Sequence, residues 1–221
     1  MDMIAFEDVK RSKEIEVYIE KGDEVLSILG FTEHSFAHAG RTADTAAMIL
    51  RQLDAPPRTV ELARIAAWMH DIGNVVNRKD HAQSGAVMAF RILDNMGLAA
   101  DELATVVGAI GNHDESTGHA VSLVSAALIL ADKSDVRRSR VRNANVAGFD
   151  IHDRVNYAVM SSKLALDPDA KTVTLELVID TTICALMDYF EIFLSRMLMC
   201  RRSAEFLGLS FGLVINGSHF L

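Results

Sequence analysis

The sequence predicts a mainly α-helical protein that ends in a small α+β unit of two strands, a helix and a further strand. Three observations carry this prediction. Apolar residues recur at helical spacing along the first two thirds of the chain, and proline occurs only three times in 221 residues. After about residue 143 short runs alternate in the manner of strands. We therefore expect a helical domain at residues 1–145, with its core at about 30–140, and the α+β unit at 146–221.

Six helices are predicted in the helical domain from their apolar stripes and from signals at their ends. Gly30 and Gly97 fit helix stops, Thr32 with Ser35 fits a cap, and a pair of prolines at 56–57 ends one helix. The predicted helices cover about residues 7–29, 32–53, 58–71, 81–96, 101–112 and 122–138.

Several details of these helices follow from the same patterns. We expect a break at Gly22 in the first helix, with Val17 and Leu29 on its inward face. Phe90 is expected to face inward from the fourth helix, and Asp101 to cap the fifth.

The C-terminal unit is predicted from two β-like runs, NYAVMSSKLAL and KTVTLELVID, which a DPDA turn separates. A helix follows from about Thr182 to Phe206, and the tail SFGLVINGSHF has the pattern of a strand. Cys184 and Cys200 both fall in this helix, about 24 Å apart, which is too far for a disulfide. The Phe/Met stripe of the helix is typical of a core or dimer contact.

Composition excludes some classes of function. The formal net charge is −8 and there is no Lys/Arg block, so general nucleic-acid binding is not expected. The sequence begins without an apolar signal segment, and no uncharged apolar run reaches the ~18–20 residues of a membrane span. We therefore expect a cytoplasmic protein with reduced cysteines and no membrane association.

The chain is organised around the segment LARIAAWMHDIGN, residues 62–74. Its apolar residues recur at helical spacing and Trp68 widens the stripe, so the segment is predicted to be a buried helix. It ends in His70 and Asp71, a buried pair that needs a partner. Asp132 follows SAALILA, which is apolar almost all round, and an unpaired carboxylate buried there would cost several kcal/mol.

Six inward polar residues end or begin five different segments, so the helices would bring them to one place. They are His38, His70, Asp71, His81, His113 and Asp132. Six ligands exceed a structural zinc site, and a two-metal site bridged by Asp71 uses them better. Mixed imidazole and carboxylate ligands favour Fe or Mn, with Co, Ni or Zn as alternatives. The alternative is that each residue is a cap or a satisfied core residue, which is a poor account of all six together.

The ordered set of His38, then His70-Asp71, then Asp132, in the local forms HAGRTA, MHDIGN and ILADKSD, resembles the HD-domain metal-dependent phosphohydrolases. His81 and His113 occupy the positions of the two intervening histidines in two-metal members. The resemblance covers about residues 30–140. It implies an all-helical core, two divalent metal ions, and hydrolysis of phosphomonoesters or phosphodiesters, often of nucleotides, by a hydroxide held between the metals. Asp71 is then the bridging catalytic ligand.

Two departures from the family pattern bear on function. No GYP motif follows NHDESTGH, so the cyclic-di-GMP branch with that signature is not expected. Asn74 stands after HDIG where many relatives carry Lys, so a phosphate contact made there can be missing. The ββαβ unit is not part of the general HD core.

Weaker candidates lie beside the six ligands. Lys133, Arg41 and Arg137 are candidates for binding the substrate phosphate, and Lys133 is the preferred one because a cation beside the metals would offset transferring charge. The alternative is ordinary pairing with Asp135 or Glu115. His34 and Asp114 are candidates for an extra metal ligand. Three further histidines have no motif support and are expected at the surface: His119, His152 and His219.

The sequence thus predicts a metal-dependent phosphohydrolase acting on a small phosphorylated substrate, expected to be a nucleotide. Two alternatives stay open. One is a non-catalytic metal- or nucleotide-binding protein in which the C-terminal unit mediates dimerisation. The other is a single-metal site, which would follow if His81 or His113 pointed away. The apolar last helix makes a homodimer reasonable.

Overall fold

The computed structural model describes residues 3–143 and 149–221, and it confirms a mainly α-helical fold with a small C-terminal sheet. The helices within those residues are α1 Phe6–Lys10, α2 Lys13–Ile28, α3 Phe36–Gln52, α4 Pro57–Met69, α5 His81–Met96, α6 Ala100–Gly111, α7 Leu123–Ser134, α8 Ile151–Ala158 and α9 Leu186–Phe206. The strands are β1 Val159–Asp167, β2 Thr172–Ile179, β3 Ser210–Ile215 and β4 Ser218–His219. The domain boundary expected at 145/146 lies outside the described residues and stays a prediction.

Helix α4 lies at the centre of the helical part, packed against α1, α3, α6 and α7. Its inward residues are almost fully buried, and Trp68 packs edge-on against Phe6 and stacks on Phe36. Burying a large apolar side chain stabilises a fold by about 1.5–3 kcal/mol. Helix α7 is buried on all sides from Val124 to Ala131, as its apolar sequence predicts. These two rigid helices carry residues 70–71 and 132 to the same place.

The first helix differs from its prediction. The predicted helix is interrupted at residues 11–12, between α1 and α2, and not at Gly22. Gly22 lies inside α2 and is buried against residues 74–75. The buried stripe of α2 is Ile15, Ile19, Gly22 and Leu26, which leaves Val17 and Leu29 about half exposed. The prediction that these two face inward is wrong, because the helix turns its glycine rather than its valine to the core.

Three smaller predictions are also wrong. Phe90 is 51% exposed on α5, whose small residues face the core instead. Asp101 lies in the first turn of α6, and Ala99 is the N-cap. Helix α7 ends at Ser134 rather than near 138, because Asp135 leaves the helical conformation. Gly30 and Gly97, by contrast, have positive φ angles just after their helices, as predicted.

The C-terminal sheet has the strand order β1-β2-β3-β4. Strands β1 and β2 are antiparallel across the predicted DPDA turn, and α9 crosses over to place β3 parallel to β2. The structure adds two elements to the predicted ββαβ unit. Residues 151–158 form α8 where the first strand was expected to begin, and the turn at Asn216-Gly217 divides the tail into β3 and β4.

Helix α9 joins the two parts of the chain, because it packs on α7 as well as on β2 and β3. Part of its Phe/Met stripe is core, with Phe193, Met197 and Cys200 almost fully buried, whereas Met187 at its start is 74% exposed. Cys184 lies just before α9, so the two cysteines do not share a helix, and both are free and buried. None of the described helices is long and apolar enough to cross a membrane.

Gly73, in the 3₁₀ turn Ile72–Val75, lies where the start of α5 comes closest to the segment after α4. A Cβ atom there would lie 2.0 Å from the His81 carbonyl oxygen and 2.5 Å from the Gly85 nitrogen. We expect Gly73→Ala to lower the free energy of unfolding by roughly 3 kcal/mol, because backbone on both sides must move. Urea unfolding of the variant and the parent protein measures this.

Gly108→Ala is the matched control, since nothing lies within 4 Å of a Cβ built at that position inside α6. It is expected to raise the free energy of unfolding by about 0.5–1 kcal/mol. Equal stability of the two variants would contradict the close approach at Gly73.

Candidate metal centre

The six candidate ligands meet at one place, each carried there by a helix end. His38 lies in the first turn of α3, His70 is the C-cap of α4 with Asp71 directly after it, and Asp132 lies in the last turn of α7. His81 is the first residue of α5, and His113 follows the C-cap of α6. The four imidazoles are at most 2% exposed. The structure therefore brings the six candidate ligands together.

The first ligand group consists of His38, His70, Asp132 and one oxygen of Asp71. His38 Nε2 lies 3.3 Å from His70 Nε2 and 3.3 Å from Asp132 Oδ1. Asp71 Oδ2 lies 3.1 Å from His70 Nε2 and 3.6 Å from His38 Nε2. Two ligands held about 2.1 Å from one ion lie about 3.0–3.4 Å apart at tetrahedral or octahedral angles. Three of the observed spacings lie in this range, and the His38–Asp71 and His70–Asp132 spacings, at 3.6 and 3.7 Å, are slightly longer.

The second ligand group consists of His81, His113 and the other oxygen of Asp71. His81 Nε2 lies 3.1 Å from His113 Nε2 and 3.4 Å from Asp71 Oδ1. His113 Nε2 lies 3.8 Å from the same oxygen. Both histidines therefore point into the cluster, so the condition for the single-metal alternative is not met. Asp71 faces one group with each oxygen, as a bridging ligand would.

The outer ring nitrogens show that the inner ones offer lone pairs. Asp135 Oδ2 lies 2.8 Å from His38 Nδ1. The other three imidazoles donate from Nδ1 to the carbonyl three residues earlier: His70 to Ala67 at 2.7 Å, His81 to Arg78 at 3.0 Å and His113 to Ile110 at 2.6 Å. A carbonyl only accepts, so the proton of each neutral ring is on Nδ1 and Nε2 is an acceptor. Pairs of acceptors about 3 Å apart are favourable only with a cation between them, and such oriented imidazoles are typical of metal ligands.

The electrostatics of the cluster also favour a cation. Burial alone would lower the pKa of His70, but Asp71 and Asp132 outweigh it and raise that pKa to about 10. Burial, with His70 and other neighbouring cations, lowers the pKa of His113 to about 3. Burial alone would raise the pKa of Asp71, but His70 holds it well below its ordinary value. Two ionised carboxylates thus lie beside four imidazoles, and burial is the main cause that lowers the pKa of two of these rings, His81 and His113. Mixed carboxylate and imidazole groups are a donor set that suits a divalent ion.

Asn74 holds the bridging carboxylate in place. Its side-chain amide donates to Asp71 Oδ1 and to the Asp71 carbonyl, at 2.9 Å each, and accepts from Arg78 at 3.2 Å. Asn74 is almost fully buried. Asn74, at the position where many relatives carry lysine, therefore orients the candidate ligand Asp71. The positive charge next to Asn74 belongs to Arg78, whose Nη1 lies 3.4 Å from His81 Nε2.

A cavity of about 270 Å³ opens onto the cluster. Lys133 lines it and is 5% exposed, with its ammonium 2.8 Å from Asp132 Oδ2 and 2.7 Å from Glu115 Oε2. Burial alone would lower the pKa of Lys133, but Asp132 and Glu115 outweigh it and raise that pKa. Lys133 is thus a charged group beside the candidate ligands. It also forms the ion pair with Glu115 that the sequence analysis gave as the alternative to a role in phosphate binding.

The weaker candidates lie in different places. Arg41 is exposed on α3 and lines a separate depression with Asp44. Arg137 pairs with Asp135 and Glu33 and does not line the cavity. The structure therefore does not place these two arginines in the lining of the cavity.

The two candidates for an extra ligand stay outside both ligand groups. His34 lines the cavity, but its Nδ1 lies 2.7 Å from the Thr32 carbonyl oxygen and its ring centroid is 5.5 Å from that of His38. Asp114 Oδ2 lies 3.8 Å from His81 Nδ1, on the outer side of that ring. His119, His152 and His219 are exposed, as expected.

Several residues of the site were not singled out from the sequence. Asp135 orients His38, and three arginines line the cavity from separate parts of the chain: Arg78, Arg140 and Arg196. Asp135 follows Asp132 by three residues, so both carboxylates leave the same helix end, and that spacing was the available signal. The arginines have no local signal, because only the tertiary fold brings them to the cavity.

Part of the chain matches a known protein family. Residues 35–137 match the family model described as the HD domain. Among solved structures, the chain is similar to a predicted HD superfamily hydrolase from an uncultured Thermotogales bacterium, with 28% identity and a TM-score of 0.45 over 57% of this chain and 68% of that one. No curated protein matches the chain significantly.

Proposed function

Because residues 35–137 form an HD domain, we propose that the protein is a metal-dependent phosphohydrolase that cleaves a phosphomonoester or phosphodiester of a small molecule such as a nucleotide. One observation carries the proposal: the two oxygens of Asp71 face different ligand groups, 3.1 Å from His70 and 3.4 Å from His81. We propose two divalent ions, Fe or Mn, with Co, Ni or Zn as alternatives. Bound there, they would supply an activated water and neutralise charge on the phosphoryl group.

The surrounding residues support this chemistry. Asn74 fixes the rotation of the Asp71 carboxylate, and Asp135 fixes that of His38. Lys133 provides a positive charge at the wall of the cavity, where it can stabilise negative charge on a phosphate oxygen. Homodimerisation and a cytoplasmic location remain predictions from the sequence.

The test begins with the metal content of the protein as purified from cells. Turnover is then measured on p-nitrophenyl phosphate, bis(p-nitrophenyl) phosphate and a set of nucleotides, with Mn²⁺ or Fe²⁺ under reducing conditions. We expect hydrolysis that a chelator removes and added metal restores. Tight metal binding without turnover of any ester would instead support the non-catalytic alternative.

A further inference from the structure

Arg196 belongs to α9, outside the matched residues 35–137, yet it lines the cavity together with Asp71, His81 and Asp132. Helix α9 packs on α7, the helix that carries Asp132 and Lys133. The C-terminal unit therefore contributes a cationic side chain to the cavity of the HD domain.

The guanidinium of Arg196 is held in place and still has donors to offer. Its Nε donates to Glu115 Oε1 at 2.9 Å, and its Cζ atom lies 4.8 Å from the centroid of the Phe193 ring. Its side chain is 27% exposed. Among the described residues, no protein acceptor bonds either terminal amino group. An arginine that is held by a carboxylate and lines a cavity is suited to a phosphate, because its planar fork matches two phosphate oxygens.

Glu115 ties Arg196 to the candidate metal centre. Its Oε1 accepts from Arg196, while its Oε2 lies 2.7 Å from Lys133 Nζ, which in turn lies 2.8 Å from Asp132 Oδ2. The Glu115 carboxylate thus contacts both Arg196 and Lys133. These three side chains together carry one net positive charge at the wall of the cavity.

We propose that Arg196 binds a phosphate oxygen of the substrate, so that the C-terminal unit completes the phosphate-binding side of the cavity. Glu115 is then a positioning residue that holds Arg196 and Lys133 toward the same anion. This inference rests on the proposed function. It gives the C-terminal unit a role in binding the substrate, because Arg196 lies outside the matched residues 35–137.

The probe is inorganic phosphate, the anion that hydrolysis of a phosphomonoester releases, titrated calorimetrically into the Mn²⁺-loaded full-length protein. Loss of a charge-assisted hydrogen bond to phosphate predicts that Arg196→Gln binds phosphate about 10- to 100-fold more weakly. Arg196→Lys keeps the positive charge but not the planar guanidinium, so its affinity for phosphate is expected to lie between those of the parent protein and Arg196→Gln. Manganese content should equal that of the parent protein in both variants, because Arg196 contacts no ligand atom directly.

Arg201→Gln is the matched control, since Arg201 lies on the same helix, is about half exposed and does not line the cavity. It should bind phosphate as the parent does. Parent-like phosphate affinity in Arg196→Gln, or in Arg196→Lys should the glutamine variant not fold, would overturn the inference while leaving the proposed hydrolase intact. A parent protein that neither binds phosphate nor hydrolyses any ester would overturn both.

Discussion

Asp71→Asn is expected to abolish hydrolysis, with a loss in kcat/KM of about 10³-fold or more. In the structure the two carboxylate oxygens serve separate ligand groups, and Oδ1 also accepts from Asn74 at 2.9 Å. An asparagine has only one oxygen. Whichever way its amide turns, one group receives an NH₂ that cannot bind a cation.

The measurement pairs elemental analysis of the purified variant with turnover on the best ester of the parent protein. We expect the metal content to fall from about two ions per chain to one or fewer. Asp44→Asn is the matched control, because Asp44 is a 79% exposed carboxylate on α3 and faces away from the cluster. Parent-like turnover in Asp71→Asn would remove the basis of the proposed function.

The sequence predicted the orientation of a candidate ligand wherever that residue lies at a helix end. Each of the six candidate ligands follows or precedes an apolar stripe whose direction can be counted, so its inward orientation was predictable. The same counting failed for Arg41, which follows His38 by three residues. It turns outward because the inner face of α3 at that level is filled by the buried Thr42 and Ala43.

The C-terminal unit shows what pattern alone does not reveal. The alternating runs predicted the β1–β2 hairpin, but the residues before β1 form α8, whose cap is Asp150. The apolar stripe of α9 predicted a core helix. Its polar neighbour Arg196 gave no signal, because its partner Glu115 is 81 residues away in sequence and only packing brings them together.

His81→Ala tests whether the second ligand group binds its own metal ion. His81 and His113 contribute to this group, whereas the first group keeps His38, His70 and Asp132 without them. We therefore expect the variant to retain about one metal ion per chain and to lose about 10²–10³-fold in kcat, since a second ion stabilises charge that the first cannot reach.

His119→Ala is the control for His81→Ala, because His119 is an exposed histidine outside the cavity lining. It should keep the parent's metal content and activity. If His81→Ala also kept both ions, the histidine would be a neighbour of the site rather than a ligand. If it kept full activity with one ion, hydrolysis would need only the first group, and Asp71 would act there through the oxygen that faces His70.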